Sequence, residues 1–492
     1  MKKLVRISLV SLMAFVMLIS SGCGTNSSNQ KATATPTPAS QGAVNGTYTR
    51  PGEVYKFWSW QFASADPYQG DSIRDQAMRK RVQSIQDDLG IDIQFVPNTG
   101  DMFTAVRQSS FQGTPVVDGM KEGGLNTFIA TYLYQDVPGA CLEPLSDHAY
   151  VYDFNNTNKF NVSVQNDLMT FNNKLWYFVP IEIGLHFECT GQVLVFNKRL
   201  VTEAGYTPEK LYGWFEDGTW TWDKFESVLV ASTKKEKGQW GIEHGNSSLF
   251  AWALINSNEG KLVDLQVAAD GTKQDYFVAS QPNTVAAYDE FIKLVQDSKC
   301  VDPTYYGSVD QTPLNNFMSG KTAFMFTGYS TNSLDKIAKM SEDYGILPVP
   351  KGPASVKDKN QYSSLFPHVN PYAVFRGVQN TDGTIEVLAK LFQPIYDANS
   401  DEAKQLLTQE KDLFTRDDES KKVLDVTEAN KVLFRDFMYV FAKVGDSSFD
   451  HMVFYEGETS ILNREVTPKA YFDSITDVMN AAIVANSPYT WQ

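Results

Sequence analysis

Histidine and cysteine are scarce, five and four among 492 residues, and their scarcity narrows the chemistry first. His148, His186, His244, His368 and His451 stand at no metal-ligand spacing, so no metal site and no cofactor is expected. The nearest approach to a cluster, His186 with Glu188 and Cys189, reads as loop residues. Basic side chains are outnumbered as well, 43 Lys and Arg against 58 Asp and Glu, for a formal charge of −15. That balance excludes nucleic acid as a partner and electrostatic adhesion to an anionic membrane. The chain has no phosphate-cradling loop, nucleophile elbow or calcium loop. It shows no internal repeat and no heptad, and after residue 19 no apolar run approaches the roughly 18 residues that a membrane span needs.

What is present begins at the amino terminus. Lys2, Lys3 and Arg6 precede an apolar run over residues 9–19, and Ser20, Ser21 and Gly22 lead to Cys23. This is the pattern of a signal peptide over residues 1–22. Small residues ending at a cysteine resemble a bacterial lipobox, which implies that Cys23 is lipidated and anchors the chain to the cell membrane on its extracytoplasmic face. Ser20 stands where that motif prefers an aliphatic residue, and a plain secretory leader is the alternative. Residues 23–50, rich in Ser, Thr, Asn, Ala and Pro, read as a flexible tether. Without Lys2, Lys3 and Arg6 the charge falls from −15 to −18. Cys141, Cys189 and Cys300 then remain, enough for one disulfide of unspecified pairing or for three buried thiols.

The body of about 440 residues is long enough for two large cores. Its pattern alternates from the start: an apolar strand at residues 55–60, a polar loop to Gly70, a helix over 71–89 stopped by Gly90, and a second strand at 91–96. Such βαβ order predicts a mostly parallel sheet. A helix over 101–110, a short strand near 115–118 and a helix over 126–134 follow. Residues 150–169 are polar and Asn-rich and read as a surface excursion or lid. Strands are predicted at 175–179 and 193–197, flanking a loop where the chain crosses between lobes. Helices are expected from 221 and over 284–297, with a hairpin turn at Asp270-Gly271-Thr272. Residues 320–350 read as turn, strand, glycine, helix and a second strand. Gly328 and Tyr329, where strand gives way to helix, mark a candidate cleft wall at the carboxyl edge of a sheet. The remainder is mainly helical, over 384–398, 402–409, 427–443 and 469–486, with a polar joint at 446–458.

Five features occur together in order. They are the strand over 54–60; Asn172-Asn173-Lys174-Leu175-Trp176-Tyr177 with Pro180; Leu194-Val195-Phe196-Asn197-Lys198-Arg199; Trp220-Thr221-Trp222-Asp223-Lys224-Phe225; and Ser319-Gly320-Lys321-Thr322-Ala323 through Gly328 to Tyr344-Gly345-Ile346-Leu347-Pro348. In these the chain resembles the extracellular solute-binding lipoproteins of bacterial ABC importers, in the carbohydrate-binding branch that includes the maltose-binding proteins. The resemblance implies a periplasmic-binding-protein-like (type II) α/β fold of two discontinuous lobes around a hinged cleft. By that analogy lobe 1 takes residues 51–182 and 345–405, and lobe 2 takes 183–344 and 406–492.

The same resemblance assigns the ligand. A sugar presents apolar ring faces and a rim of hydroxyls, so its site needs aromatic plates edged by carboxylates and amides. In lobe 1 the matching positions are Trp58, Trp60, Asp66 and Gln69, with core packing as the alternative for each tryptophan. In lobe 2 they are Tyr329 and Glu182, with Trp252 and Tyr471 as secondary candidates. Gly328-Tyr329-Ser330 departs from the tryptophan-bearing versions of this segment. Trp220 and Trp222, at a helix start, read as packing. The implied function is capture of a sugar or oligosaccharide by a monomer that closes on it and delivers it to an ABC permease. A sensory or scaffold lipoprotein and an importer subunit for a non-sugar ligand are the alternatives. A glycan-active enzyme is disfavoured, because no Asp or Glu pair is singled out by spacing.

Overall fold

The computed structural model describes residues 47–59, 62–70, 73–121, 141–171, 173–181, 191–243, 247–302, 312–328, 336–366, 370–397, 399–433, 435–439 and 443–487. They belong to one compact unit, Ala43–Gln492. The predicted helix over 126–134 and the leader, Cys23 and tether lie outside the described residues, apart from the last few residues before Pro51.

Strand β1 (Val54–Trp58) leads through helix α1 (Ile73–Leu89) to β2 (Asp92–Val96), and α2 (Met102–Phe111) leads to β3 (Gly119–Lys121). Both α-crossovers return the chain parallel to β1, as the βαβ pattern predicts, although β3 begins just beyond the expected 115–118. Gly90 ends α1 at φ +66°, a conformation that side chains resist. One face of this sheet carries Tyr55, Phe57, Ile93 and Phe95 into a core closed by Met78 and Ile85 of α1.

Residues 150–169 are not a lid. Val151, Phe154 and Phe160 are buried in that same core, and helix α3 (Val162–Leu168) is capped by the Asn161 side chain, which accepts from the Val164 N–H at 3.2 Å. Phe154 lies stacked on Phe178 with centroids 5.1 Å apart. The aromatic spacing outweighs the surrounding asparagines.

The second sheet is built on β4 (Gln192–Asn197), all six residues of which are buried. Burial of each Val, Leu or Phe there contributes about 1.5–3 kcal/mol. Helix α4 (Pro208–Glu216) starts with Thr207 accepting from the Lys210 N–H and with Pro208 in its first turn. Helix α5 (Trp222–Ser232) follows, then β5 (Trp240–Glu243), α6 (Ser247–Ser257), and a hairpin of β6 (Val263–Val267) and β7 (Lys273–Phe277) turning at Gly271, φ +86°. Helices α7 (Pro282–Ile292) and α8 (Thr312–Met318) precede β8 (Thr322–Gly328) and β9 (Tyr344–Pro348). The spatial order is β9, β4, β8, β5. Trp220 and Trp222 are packing residues: both are buried, and their indoles donate to Pro348 O at 2.9 Å and Ser257 Oγ at 3.1 Å.

The expected hand-over between lobes falls at Tyr344–Gly345, at the start of β9. β9 pairs along its whole length with β4, from Tyr344 opposite Asn197 to Pro348 opposite Val193. Gly345 is a glycine because an added Cβ would collide with the Tyr212 hydroxyl and the Phe196 ring. The chain continues through β10 (Ser364–Phe366), where Ser364 Oγ accepts from Gln192 N at 3.0 Å, before β11 (Tyr372–Val374) joins β3 antiparallel in the first sheet.

Helix α9 (Thr381–Phe392) covers the first core, while α10 (Asp401–Phe414) and α11 (Asp418–Ala429) approach the second sheet. Tyr344 Oη donates to Phe414 O at 2.8 Å. The predicted helix over 427–443 is instead the end of α11, strand β12 (Lys431–Leu433) paired parallel to β10, and a short turn of helix at Arg435–Met438. Residues 446–458 are only partly a polar joint, since a helical turn occupies His451–Glu456. The last helix, α12 (Pro468–Asn486), begins at Thr467 and Pro468.

Cys141 and Cys300 are both buried, and no disulfide joins this pair. Cys300 Sγ donates to Leu294 O at 3.2 Å, and burial pushes its thiol up to about 12. Cys189 lies outside the described residues.

Candidate ligand-binding cleft

In open α/β sheets ligands bind beyond the carboxyl ends of the parallel strands, where backbone is exposed and no helix covers the edge. In the first sheet those ends are Trp58, Val96 and Lys121. The chain leaves β1 into a turn closed by Phe62 N donating to Ser59 O, and Phe62 O accepts from Asn98 N at 2.8 Å. Phe62 and Tyr68 both pack edge-on against Phe95, at 5.3 and 5.4 Å. Arg79 reaches from α1 to donate to Tyr68 O and Gly70 O. Between these anchors Asp66 and Gln69 stand exposed, joined by Gln69 Nε2 donating to Asp66 Oδ2 at 3.1 Å. A fixed loop thus presents a carboxylate and an amide to solvent.

Trp58 does not share that position. It is 1% exposed, covered within the larger core, and has no face left for a ligand. Strands of a parallel sheet are covered on both sides, which is why alternation along β1 cannot reveal which tryptophan faces out. Trp60 lies outside the described residues.

In the second sheet the matching edge is formed by Glu243 of β5, Gly328 of β8, Pro348 of β9 and the first residue of antiparallel β4, Gln192. A Cβ at Gly328 would lie 3.3 Å from Gln192 Nε2, so the glycine lets the amide lie close along the strand. Glu243 is 2% exposed and accepts from Asn316 Nδ2 at 3.2 Å. Burial pushes its carboxyl up to about 7, with Asp302 adding repulsion and the Asn316 hydrogen bond opposing both. Near neutral pH such a group both donates and accepts. Neither Gln192 nor Glu243 was expected from sequence; the only trace is a polar residue closing an otherwise apolar strand.

Of the two secondary candidates one is a core residue and the other packs against the core. Trp252 is 4% exposed and meets Phe454 edge to face at 4.3 Å. Tyr471 is half-buried, its ring against Gly457 and its hydroxyl donating to Met452 O at 2.6 Å, so it braces α12 against the preceding helical turn. Burial pushes its phenol up to about 12. Glu182 and Tyr329 lie outside the described residues. The structure therefore brings Asp66 and Gln69 together in one exposed loop, while Trp58 and Trp252 are buried and Tyr471 is half-buried.

The family model for the bacterial extracellular solute-binding proteins matches residues 80–398. No curated protein matches the chain. Among solved structures, an ABC substrate-binding protein of Listeria monocytogenes in complex with cycloalternan is similar at TM-score 0.58 and 16% identity, covering 88% of this chain and 99% of that one. A solute-binding protein of Thermotoga lettingae bound with α-D-tagatose matches at TM-score 0.56 and 12% identity, over 88% and 100%. The GacH receptor of Streptomyces glaucescens, solved unliganded and with acarbose, matches at 0.56 and 15%, over 88% and 98%. At these identities the likeness is one of fold, that of the type II periplasmic-binding-protein-like α/β proteins.

Proposed function

The chain belongs to the bacterial extracellular solute-binding protein family, and we propose that it is the sugar-capturing subunit of an ABC importer. The family match across residues 80–398 carries this reading, and the sugar-bound neighbours of the same fold give it a ligand class. Asp66 and Gln69 supply hydroxyl-binding groups on the lobe 1 side. Gln192 and Glu243 border the lobe 2 edge, and Trp60, Tyr329 and Glu182 complete the proposed set. Ligand bridging both sides shifts the population from open to closed, and the closed surface is what a membrane permease recognises. Residues 1–22 act as a leader, Cys23 as a lipid anchor and the following segment as a tether, holding a monomeric body on the outer face of the membrane. No helix of the described residues is long and apolar enough to cross a membrane. The activity is binding, not catalysis.

Thermal-shift screening of the protein against glycans, polyamines and short peptides tests this. A ligand that binds only the folded state raises the melting temperature as its concentration passes Kd. At least one glycan is expected to do so, with Tyr329→Ala or Asp66→Ala weakening the effect while leaving the unliganded melting temperature in place. Stabilisation by polyamines or peptides and by no glycan overturns the sugar assignment.

A further inference from the structure

The described residues line an open recess, a cavity of about 370 Å³ that none of the expected ligand residues lines. It lies where the carboxyl end of α6 meets the start of β6, with Lys357 from the segment between β9 and β10, Arg435 and Asp436 after β12, and Asp167 of α3 completing its wall. Its volume falls at the lower end of the roughly 300–1,000 Å³ that small-ligand pockets occupy.

The polar groups of the wall divide into paired and unpaired. The cations have carboxylate partners: Arg435 Nε lies 2.5 Å from Asp275 Oδ1 and Nη1 3.0 Å from Asp167 Oδ1, and Lys261 Nζ lies 2.6 Å from Asp264 Oδ1. Lys357 Nζ faces Glu259 Oε1 at 3.9 Å. An anionic ligand therefore finds no uncompensated positive charge. Two side chains keep unused capacity. Asn256 is 6% exposed and its Nδ2 makes no hydrogen bond, and Glu259 Oε1 is a buried acceptor that makes none. A buried donor or acceptor without a partner is unfavourable, and a hydroxyl-bearing guest supplies the missing hydrogen bond. Beside them Asp436 is wholly buried, its Oδ1 accepting from Val263 N at 2.6 Å. Among the described residues the wall holds no aromatic ring, so no ring face can stack there. What remains is a mixed set of donors and acceptors, in which the four carboxyls of the wall, Asp167, Glu259, Asp264 and Asp436, outnumber its three cations.

We propose that this cavity is a second binding site, lined by none of the residues assigned to the cleft, for a small neutral polyhydroxylated molecule such as a monosaccharide or an acyclic polyol. Asn256 donates to a hydroxyl, Glu259 and Asp436 accept from others, and the paired cations hold the wall in shape. The proposal does not depend on the importer reading.

Glu259 offers a clean test because its backbone is strained. It sits at φ +57° just past α6, where Gly260 N donates to Ile255 O and Glu259 N to Asn256 O. This is a helix terminus at which glycine is ordinarily favoured. Glu259→Gly thus removes the carboxylate while relaxing the fold. Ligand-observed NMR on the full chain with glucose, sorbitol and myo-inositol, and with inorganic phosphate and glycine as charged controls, reads out binding. At least one polyol is expected to bind saturably, and its affinity to fall about tenfold in Glu259→Gly and in Asn256→Ser, with the melting temperature of Glu259→Gly unchanged or raised. The signal is expected to survive Asp66→Ala and Tyr329→Ala. Loss of the polyol signal in the cleft variants with retention in Glu259→Gly assigns it to the cleft and overturns the proposal. So do absence of saturable polyol binding and tighter binding of phosphate or glycine.

Discussion

Arg435 and Asp275 form a buried ion pair, Nε to Oδ1 at 2.5 Å, with the Asp275 side chain wholly buried and that of Arg435 11% exposed. Tyr439 Oη donates to the other carboxylate oxygen. Removing one partner leaves a charge inside the protein without its counter-ion, which costs about 3–5 kcal/mol. Arg435→Met is therefore expected to lower the urea midpoint strongly. Arg435→Met with Asp275→Leu is expected to recover more than half of that loss, because the stranded charge goes with its partner. A single variant that loses under about 1 kcal/mol shows that Asp275 finds water instead.

Glu243 predicts a pH dependence of stability. Its folded carboxyl stands at about 7 against an ordinary 4.5, so between those values the folded state holds a proton that the unfolded chain releases. The sign follows: the contribution is fully present below about pH 4.5 and is lost as pH rises through 7. Glu243→Gln keeps the shape and an acceptor for Asn316 while removing the titration. It is expected to match the unsubstituted protein near pH 4 and to exceed it near pH 8, by up to about 3 kcal/mol. Chemical denaturation at the two pH values measures this. An equal difference at both shows that Glu243 does not carry the proton.

The buried thiols predict indifference to reductant. In a Cys189→Ser background the melting temperature is expected to stay the same with and without dithiothreitol. A thiol reagent should react with Cys141 and Cys300 only as the protein unfolds, since both are buried and the Cys300 thiol is held protonated. Recovery of a Cys141–Cys300 disulfide peptide by mass spectrometry contradicts the structure.

How far the residues announced all this depended on what each signal measures. Periodicity and punctuation located β1, α1, β2, β4 and the hairpin at Gly271, because Gly90 and Asp270-Gly271 act locally. Composition misled over residues 150–169, where counting asparagines concealed three buried apolar anchors, Val151, Phe154 and Phe160. It misled again after Ala429, where apolar residues that suit a helix form β12 against β10. The tryptophans were the hardest case, since Trp58 and Trp252 have the chemistry of a sugar plate and the burial of a core. Gly345 carries no signal of its own in the sequence, and only the Tyr212 and Phe196 side chains beneath it show why a strand needs a glycine there. Glu243 and Asn256 could not have been found at all, because what distinguishes them is burial rather than identity.

The pairing of β4 also bears on when the molecule can form. Phe196 lies opposite Phe324 on one side and Gly345 on the other, so the middle strand of its sheet has no partner until well over a hundred further residues are made. The first sheet waits longer, since Met120 finds Ala373 across β3 and β11. Contacts this distant along the chain slow folding, because loop-closure entropy is lost before they form. For a protein proposed to cross a membrane behind a leader, slow assembly is an advantage: the nascent chain stays threadable, and both sheets close only after translocation has delivered their last strands.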